Sequence, residues 1–128
     1  LAPDYVIIHK DKKEEFIAEA ENAIKGFYPD IKDTEDYTSI INERHYNRIN
    51  SLIEDAKEKG ANVHQINPSN EDFTQQEFYK IPPTIITNTS DDMKVMNEEI
   101  FGPVLPVLEY ENIDDALSTI NAKDRPLG

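Results

Sequence analysis

The sequence predicts an α/β fold with a mostly parallel sheet and flanking helices. A short apolar run rich in β-branched residues lies at residues 5–8, and a stretch with helical periodicity follows it. Two further apolar runs lie at residues 82–87 and 103–110. A strand followed by a helix is typical of α/β proteins. With 128 residues the chain is long enough for one domain, and we expect about four strands and four helices.

The first strand and the first helix are predicted within residues 5–27. The apolar run at 5–8 predicts a buried strand. Asp11, with Glu14 three residues later, resembles a capping box and predicts the start of a helix. Gly26 and Pro29 then end this helix. Its apolar face consists of Phe16, Ile17, Ala20, Ala23 and Ile24.

A second helix is predicted at residues 43–59, capped by Asn42. Gly60 follows at the position where a left-handed residue is preferred. Residues 63–66 then predict a short strand. The apolar face of the helix consists of His45 or Tyr46, together with Ile49, Leu52, Ile53 and Ala56.

The second half of the chain predicts two more strands and two helices. Residues 82–87 form a strand that begins at prolines, and a short helix capped by Asp91 or Asp92 runs through Met96. Pro106 cannot donate a ladder hydrogen bond, so the strand at 103–110 is expected at a sheet edge or at a bulge. Asn112 caps the last helix, whose apolar positions are Ile113, Ala116, Leu117 and Ile120.

The composition argues against several classes of function. The net charge is −13, which disfavours binding to nucleic acid or to an anionic membrane surface. The chain has no cysteine, which excludes a disulfide, a thiolate metal site or a cysteine nucleophile within it. Its three histidines show no metal-ligand spacing, so no metal site is predicted. No secretory signal is visible, and we expect a cytoplasmic protein.

Residues 96–105 carry the most informative pattern and allow two interpretations. In the first, Gly102 ends a helix, Phe101 lies in the core and Glu99 faces solvent. In the second, Glu99 accepts hydrogen bonds from the two vicinal hydroxyls of a ribose. Phe101 would then offer an apolar face to a flat heterocycle. The pattern alone leaves both interpretations open.

Residues 97–104 resemble the Glu-Glu-x-Phe-Gly-Pro motif of the NAD(P)-dependent aldehyde dehydrogenase superfamily. Residues 2–6 resemble the segment just after the catalytic cysteine in class 3-like members. Residues 36–46 resemble the start of their central helix, and the sequence of this segment is most similar to the coniferyl aldehyde dehydrogenase type. Residues 121–127 resemble the segment that leads to the next strand. The resemblance covers the whole chain with its motifs in the right order.

The resemblance implies that residues 1–128 are part of the catalytic domain, in its C-terminal half, within a three-layer α/β/α arrangement. Outside this chain would lie the cofactor-binding domain, the general base and the oxyanion-stabilising Asn. The nucleophilic cysteine would be the residue immediately before Leu1. The whole enzyme would oxidise an aldehyde, in the coniferyl type an aromatic one, to a carboxylic acid through a cysteine thiohemiacetal and thioester.

By the same resemblance the cofactor is NAD or NADP. Glu99 would bind the hydroxyls of the nicotinamide-side ribose, and Phe101 would pack near the nicotinamide. No catalytic residue is expected in this chain, so the chain alone would be inactive, whereas the full-length enzyme would be a homo-oligomer. The alternative is a non-enzymatic α/β binding or scaffold module derived from the same family.

Overall fold

The computed structural model describes residues 3–123, which form one four-stranded sheet and its helices. Residue 2 and residues 124–127 of the motifs above lie outside the described residues. Two short 3₁₀ helices, Lys10–Lys12 and Lys94–Met96, lie between the longer elements. In chain order these longer elements are β1 (Val6–His9), α1 (Lys13–Phe27), α2 (Glu43–Glu58), β2 (Asn62–Gln65), β3 (Thr84–Thr87), β4 (Val104–Tyr110) and α3 (Ile113–Asn121).

The sheet is mostly parallel, as the sequence predicts. Its strand order is β1-β4-β3-β2. β4 pairs in parallel with both β1 and β3, whereas β2 runs antiparallel to β3. Parallel neighbours need a crossover connection because the chain must return to the same end of the sheet. Residues 88–103 make this crossover between β3 and β4, and they contain the motif singled out in the sequence.

Helices pack on both faces of the sheet. Ile85 and Ile86 are successive residues of β3, so their side chains point to opposite faces, and they belong to two separate core clusters. The cluster around Ile86 includes the buried face of α2, and the cluster around Ile85 includes the buried face of α1. The described residues therefore form three layers, helix on sheet on helix. The α2 residues of this core are Ile49, Leu52, Ile53 and Ala56.

Two predictions about the strands are wrong. β1 is an edge strand and its four residues are only half-buried, although its apolar run predicts a buried strand. Pro106 lies in the central strand β4, not at an edge or a bulge. β4 pairs with β3 up to Pro106 and with β1 from Val107 onward. Pro106 therefore lies where one ladder ends and the other begins, so its missing N–H is tolerated.

Asparagine caps begin two of the helices, as predicted. Asn42 accepts a hydrogen bond from the backbone N–H of His45, and Asn112 accepts one from Asp114. Gly60, with φ of +93°, occupies the predicted left-handed position just after α2. These features depend on local hydrogen bonds, which the sequence alone specifies.

The aspartate caps are wrong. The chain forms a 3₁₀ turn at Lys10–Lys12 before α1, so Asp11 does not cap α1. The Nδ1 atom of His9 instead accepts from the backbone N–H of Asp11 at 3.3 Å. The predicted helix through Met96 is a single 3₁₀ turn that follows Met93, without a side-chain cap from Asp91 or Asp92.

The last helix exposes most of its predicted apolar face. α3 has the expected periodicity, but of the four apolar positions only Ala116 is buried. Within residues 3–123, no other element covers the remaining three. These exposed side chains are Ile113, Leu117 and Ile120.

Asp55, on α2, is expected to titrate below the usual range of an aspartate. The backbone N–H of Lys94 donates to Oδ2 at 2.8 Å, and Nζ of Lys59 lies 2.9 Å from Oδ1. Together they hold the pKa of Asp55 below its usual value of 3.8. A carboxyl group whose pKa is lower in the folded than in the unfolded protein stabilises the fold at any pH above its unfolded-state pKa. This stabilisation is lost as the pH falls through the folded-state pKa.

An NMR titration of the side-chain carboxyl carbons tests this expectation. Asp55 should titrate with a midpoint below 3.8, the usual value of an aspartate. A midpoint for Asp55 at or above 3.8 would contradict the assignment.

Candidate functional site

The motif residues before β4 form a loop that leads into this strand. Ile100, in the middle of the motif, is buried in the core and holds the loop in place. Ile100 is 1% exposed and packs in the cluster under α2. Phe101, by contrast, is 66% exposed, and Glu99 is half-buried. The interpretation that places Phe101 in the core is therefore wrong. The two predicted site residues lie on either side of a buried isoleucine.

Arg48 of α2 binds the backbone of this loop. Its Nη1 donates to the carbonyl oxygen of Glu99 at 3.1 Å, and its Nη2 donates to the carbonyl oxygen of Ile100. The carboxylate of Glu98 lies 4.0 Å from Nη1. A guanidinium presents its donors in a rigid planar fork, so one arginine can satisfy two successive carbonyls.

Asp4 holds the same loop from the other side. Its Oδ1 accepts from the backbone N–H of Ile100 at 3.1 Å. With Arg48 on the carbonyl, both backbone polar groups of the buried Ile100 have partners, as buried backbone groups require. Asp4 lies just before β1 and the loop lies just before β4, so the contact joins the starts of two neighbouring parallel strands.

The backbone at the end of the loop is tightly constrained. Phe101 has a φ of +49°, in the left-handed region that bulky residues rarely adopt. At Gly102, an added Cβ would lie 2.7 Å from Cδ1 of Ile49. A larger residue at position 102 would therefore force the side chain of Ile49 to shift, whereas Gly102 lets the loop approach α2 without this change. Strained residues of this kind persist only where their surroundings hold them.

A cleft of about 730 Å³ lies between the loop, the residues just before β1 and the end of α3. Lys123 donates from Nζ to the carbonyl oxygen of Met96 at 3.1 Å and lies 5.6 Å from the centre of the Tyr5 ring. The polar side of the cleft combines carboxylates, an amide and an ammonium group. Its polar lining includes Asp4, Asn97, Glu98, Glu99 and Lys123.

The predicted residues Glu99 and Phe101 fit a nicotinamide nucleotide chemically. A carboxylate accepts hydrogen bonds from vicinal ribose hydroxyls, and an exposed aromatic ring offers an apolar face. The sequence does not predict a role for Arg48 or Asp4 in this site. The pattern of α2 places Arg48 on the polar face of an amphipathic helix, and the motif at residues 2–6, which includes Asp4, does not indicate a backbone contact.

No metal site or membrane span is found in the described part of the chain. Among residues 3–123, no group of three or more His, Cys, Asp and Glu side chains could hold a metal ion. Within the same residues, no helix has the length and apolar character to cross a membrane.

The described residues form an α/β domain of three layers, with the motif loop directly before β4. The sequence model of the aldehyde dehydrogenase family matches residues 1–128, so the chain belongs to the aldehyde dehydrogenase family. It is 53% identical over 127 residues to the probable coniferyl aldehyde dehydrogenase of Caulobacter vibrioides, covering 99% of this chain and 26% of that protein. Mammalian family 3 members are also among the matches. The predicted family is confirmed.

Solved structures agree with this assignment. The chain matches the substrate-bound state of AldH from Staphylococcus aureus with a TM-score of 0.83 and 32% identity, over 99% of this chain and 26% of that one. It matches a mutant of aldehyde dehydrogenase C from Pseudomonas syringae, in complex with NAD+ and octanal, with a TM-score of 0.76 and 26% identity, over 94% of this chain and 25% of that one. The chain thus spans about a quarter of the length of these proteins.

Proposed function

We propose that the protein carrying this chain oxidises an aldehyde to a carboxylic acid with NAD+ or NADP+. Membership of the aldehyde dehydrogenase family supports the reaction, and the Pseudomonas syringae neighbour bound to NAD+ and octanal supports the cofactor class. The observation that carries the proposal is the placement of Glu99 and Phe101 on either side of the buried Ile100. Both are held at the surface by a loop whose backbone is fixed.

In this proposal residues 1–128 form part of the catalytic domain, and other segments of the protein supply the rest. Those segments include the cofactor-binding domain and a cysteine that forms a thiohemiacetal and then a thioester with the substrate. A bound nicotinamide would supply the hydride acceptor of the reaction. This chain contributes binding and orientation, and alone it would be inactive.

Glu99 would bind the hydroxyls of the nicotinamide-side ribose, and Phe101 would pack beside the nicotinamide ring. Both roles are positional: they restrict the cofactor to a geometry from which hydride transfer is efficient. The exposed ring of Phe101 suits such a contact, because its apolar face is open to solvent in this chain.

The substrate class we propose is an aromatic aldehyde related to coniferyl aldehyde. The similarity to the probable coniferyl aldehyde dehydrogenase of Caulobacter vibrioides supports this choice. A homo-oligomeric state of the full-length enzyme and a cytoplasmic location stay predictions of the sequence.

Replacing Glu99 by glutamine in the full-length enzyme tests the proposed site. A charge-assisted hydrogen bond contributes about 1.5–3 kcal/mol, so kcat/KM for the cofactor is expected to fall roughly tenfold to a hundredfold. Steady-state kinetics with NAD+ and NADP+, together with the rate of nicotinamide reduction in a single turnover, measure the effect.

Glu19→Gln is the matched control, because Glu19 carries the same charge at an exposed position of α1, on the other face of the sheet from Ile100. We expect it to leave cofactor kinetics close to those of the wild type. An unchanged Michaelis constant and rate in Glu99→Gln would remove Glu99 from the cofactor site.

A further inference from the structure

We propose that Arg48 is a positioning residue that presents Glu99 to the cofactor. This inference rests on the proposed function, since it assumes that Glu99 binds the ribose. Arg48 lies on α2, 51 residues before Glu99 in the sequence. It would act through the loop backbone and would not touch the cofactor itself.

The contacts of Arg48 fix the loop backbone at Glu99 and Ile100, where it determines the orientation of the Glu99 side chain. Its two terminal nitrogens donate to the carbonyl oxygens of Glu99 and Ile100. These carbonyls belong to two successive peptide groups, the 99–100 peptide that joins Glu99 to Ile100 and the 100–101 peptide that follows it. Two donors from one rigid plane restrain both peptides relative to each other, which a single donor would not do. The direction of the Glu99 side chain follows from this restraint.

The strain at Phe101 explains why the loop needs such a restraint. Phe101 holds a left-handed conformation at φ of +49°, a state of higher energy for a bulky residue. Asp4 holds the N–H of Ile100, but Arg48 alone among these contacts holds the two carbonyls. Without the guanidinium, the 99–100 peptide keeps only its contact with Asp4, and the carbonyl of Ile100 loses its partner. We expect the backbone then to relax towards a commoner conformation, which would turn Glu99 away from its present direction.

The experiment compares Arg48→Met and Arg48→Lys in the full-length enzyme. Arg48→Met removes both donors, and we expect the dissociation constants for NAD+ and NADP+ to rise about tenfold, measured by calorimetric titration. Arg48→Lys keeps the charge but offers one nitrogen in place of the planar fork, so it should recover part of the affinity. If Arg48→Met does not fold, Arg48→Lys alone carries the test with a smaller expected loss.

Arg44→Met is the matched control, since Arg44 is an exposed arginine one turn earlier on the same helix. It loses the same charge without touching the loop, so its cofactor affinity should not change. An equal loss in Arg44→Met and Arg48→Met would overturn the proposal, because the effect would then come from general attraction of the anionic cofactor.

A double-mutant cycle with Glu99→Gln separates positioning from a merely structural role. If Arg48 acts through Glu99, the double variant should bind the cofactor no more weakly than Glu99→Gln alone. Additive losses of cofactor affinity in the double variant would overturn the inference and leave the proposed function intact. The same conclusion would follow if Glu99→Gln bound the cofactor weakly while Arg48→Met bound it as tightly as the wild type. An unchanged affinity in Glu99→Gln itself would refute the proposed function and, with it, this inference.

Discussion

Replacing Ile100 by alanine is expected to lower the free energy of unfolding by about 2–5 kcal/mol. The side chain of Ile100 is 1% exposed and packs with Ile49 and Val104 beneath α2. Truncation loses the transfer free energy of three carbon atoms and leaves a cavity, because Arg48 and Asp4 prevent the backbone from collapsing into the space. Urea denaturation followed by circular dichroism measures the change.

Two control variants make this result interpretable. Ile41→Ala removes the same atoms at a position that is 84% exposed, so its effect should stay within about 0.5 kcal/mol. Ile100→Val shortens the side chain by one methylene and should cost about 0.5–1.5 kcal/mol. If Ile100→Ala were no less stable than Ile41→Ala, Ile100 would not be the anchor of the loop.

The elements of the fold follow from local patterns, whereas their arrangement does not. Asn42 and Asn112 cap helices through hydrogen bonds that span two or three residues, so the sequence contains the whole cause. Pro106 carries equally clear local information, namely a missing N–H, yet the edge that it predicts is wrong. Its tolerance in β4 depends on where β1 begins to pair, which is a property of the sheet and not of the segment.

The candidate site likewise combines residues of one local motif with residues that are distant in the sequence. Glu99 and Phe101 lie in one short motif, and the resemblance of that motif to the family's motif predicts their roles, which the pattern alone leaves open. Arg48 and Asp4 reach the motif from 52 and 96 residues away along the chain. Their contacts are with backbone atoms, which every residue has, so no pairing of side-chain types in the sequence indicates them. A helix pattern predicts only that Arg48 lies on a polar face.

The burial of Lys80 is a feature that the local sequence does not predict. The polar stretch at residues 67–80 predicts a loop, and a lysine in a loop is expected in solvent. Lys80 is instead 5% exposed. Its Nζ donates to the carbonyl oxygens of Ile31, at 3.0 Å, and of Thr34. Gln76 binds both backbone groups of Lys80 and so holds the residue in place.

We expect Lys80→Met to lower the free energy of unfolding by about 2–5 kcal/mol. Methionine preserves most of the apolar stem but has no donor, so two carbonyls lose their partner. Each buried group left unsatisfied costs about 1–3 kcal/mol, and more when the lost bond was charge-assisted. The carboxylate of Glu71 already accepts from the N–H groups of Ile31 and Lys32 on the same segment. It cannot replace a donor, since an ionised carboxylate only accepts.

Lys57→Met provides the comparison, because Lys57 is exposed and its ion pair with Glu54, at 2.8 Å, lies on the surface of α2. An exposed pair of this kind contributes about 0–1 kcal/mol. Urea denaturation of both variants should therefore separate them by at least about 1 kcal/mol. Equal midpoints would mean that water reaches the carbonyls of Ile31 and Thr34 once the ammonium group is gone. The hydrogen bonds of Lys80 would then contribute little to holding residues 31–34, and the burial of Lys80 would be a consequence of the loop's shape instead of its cause.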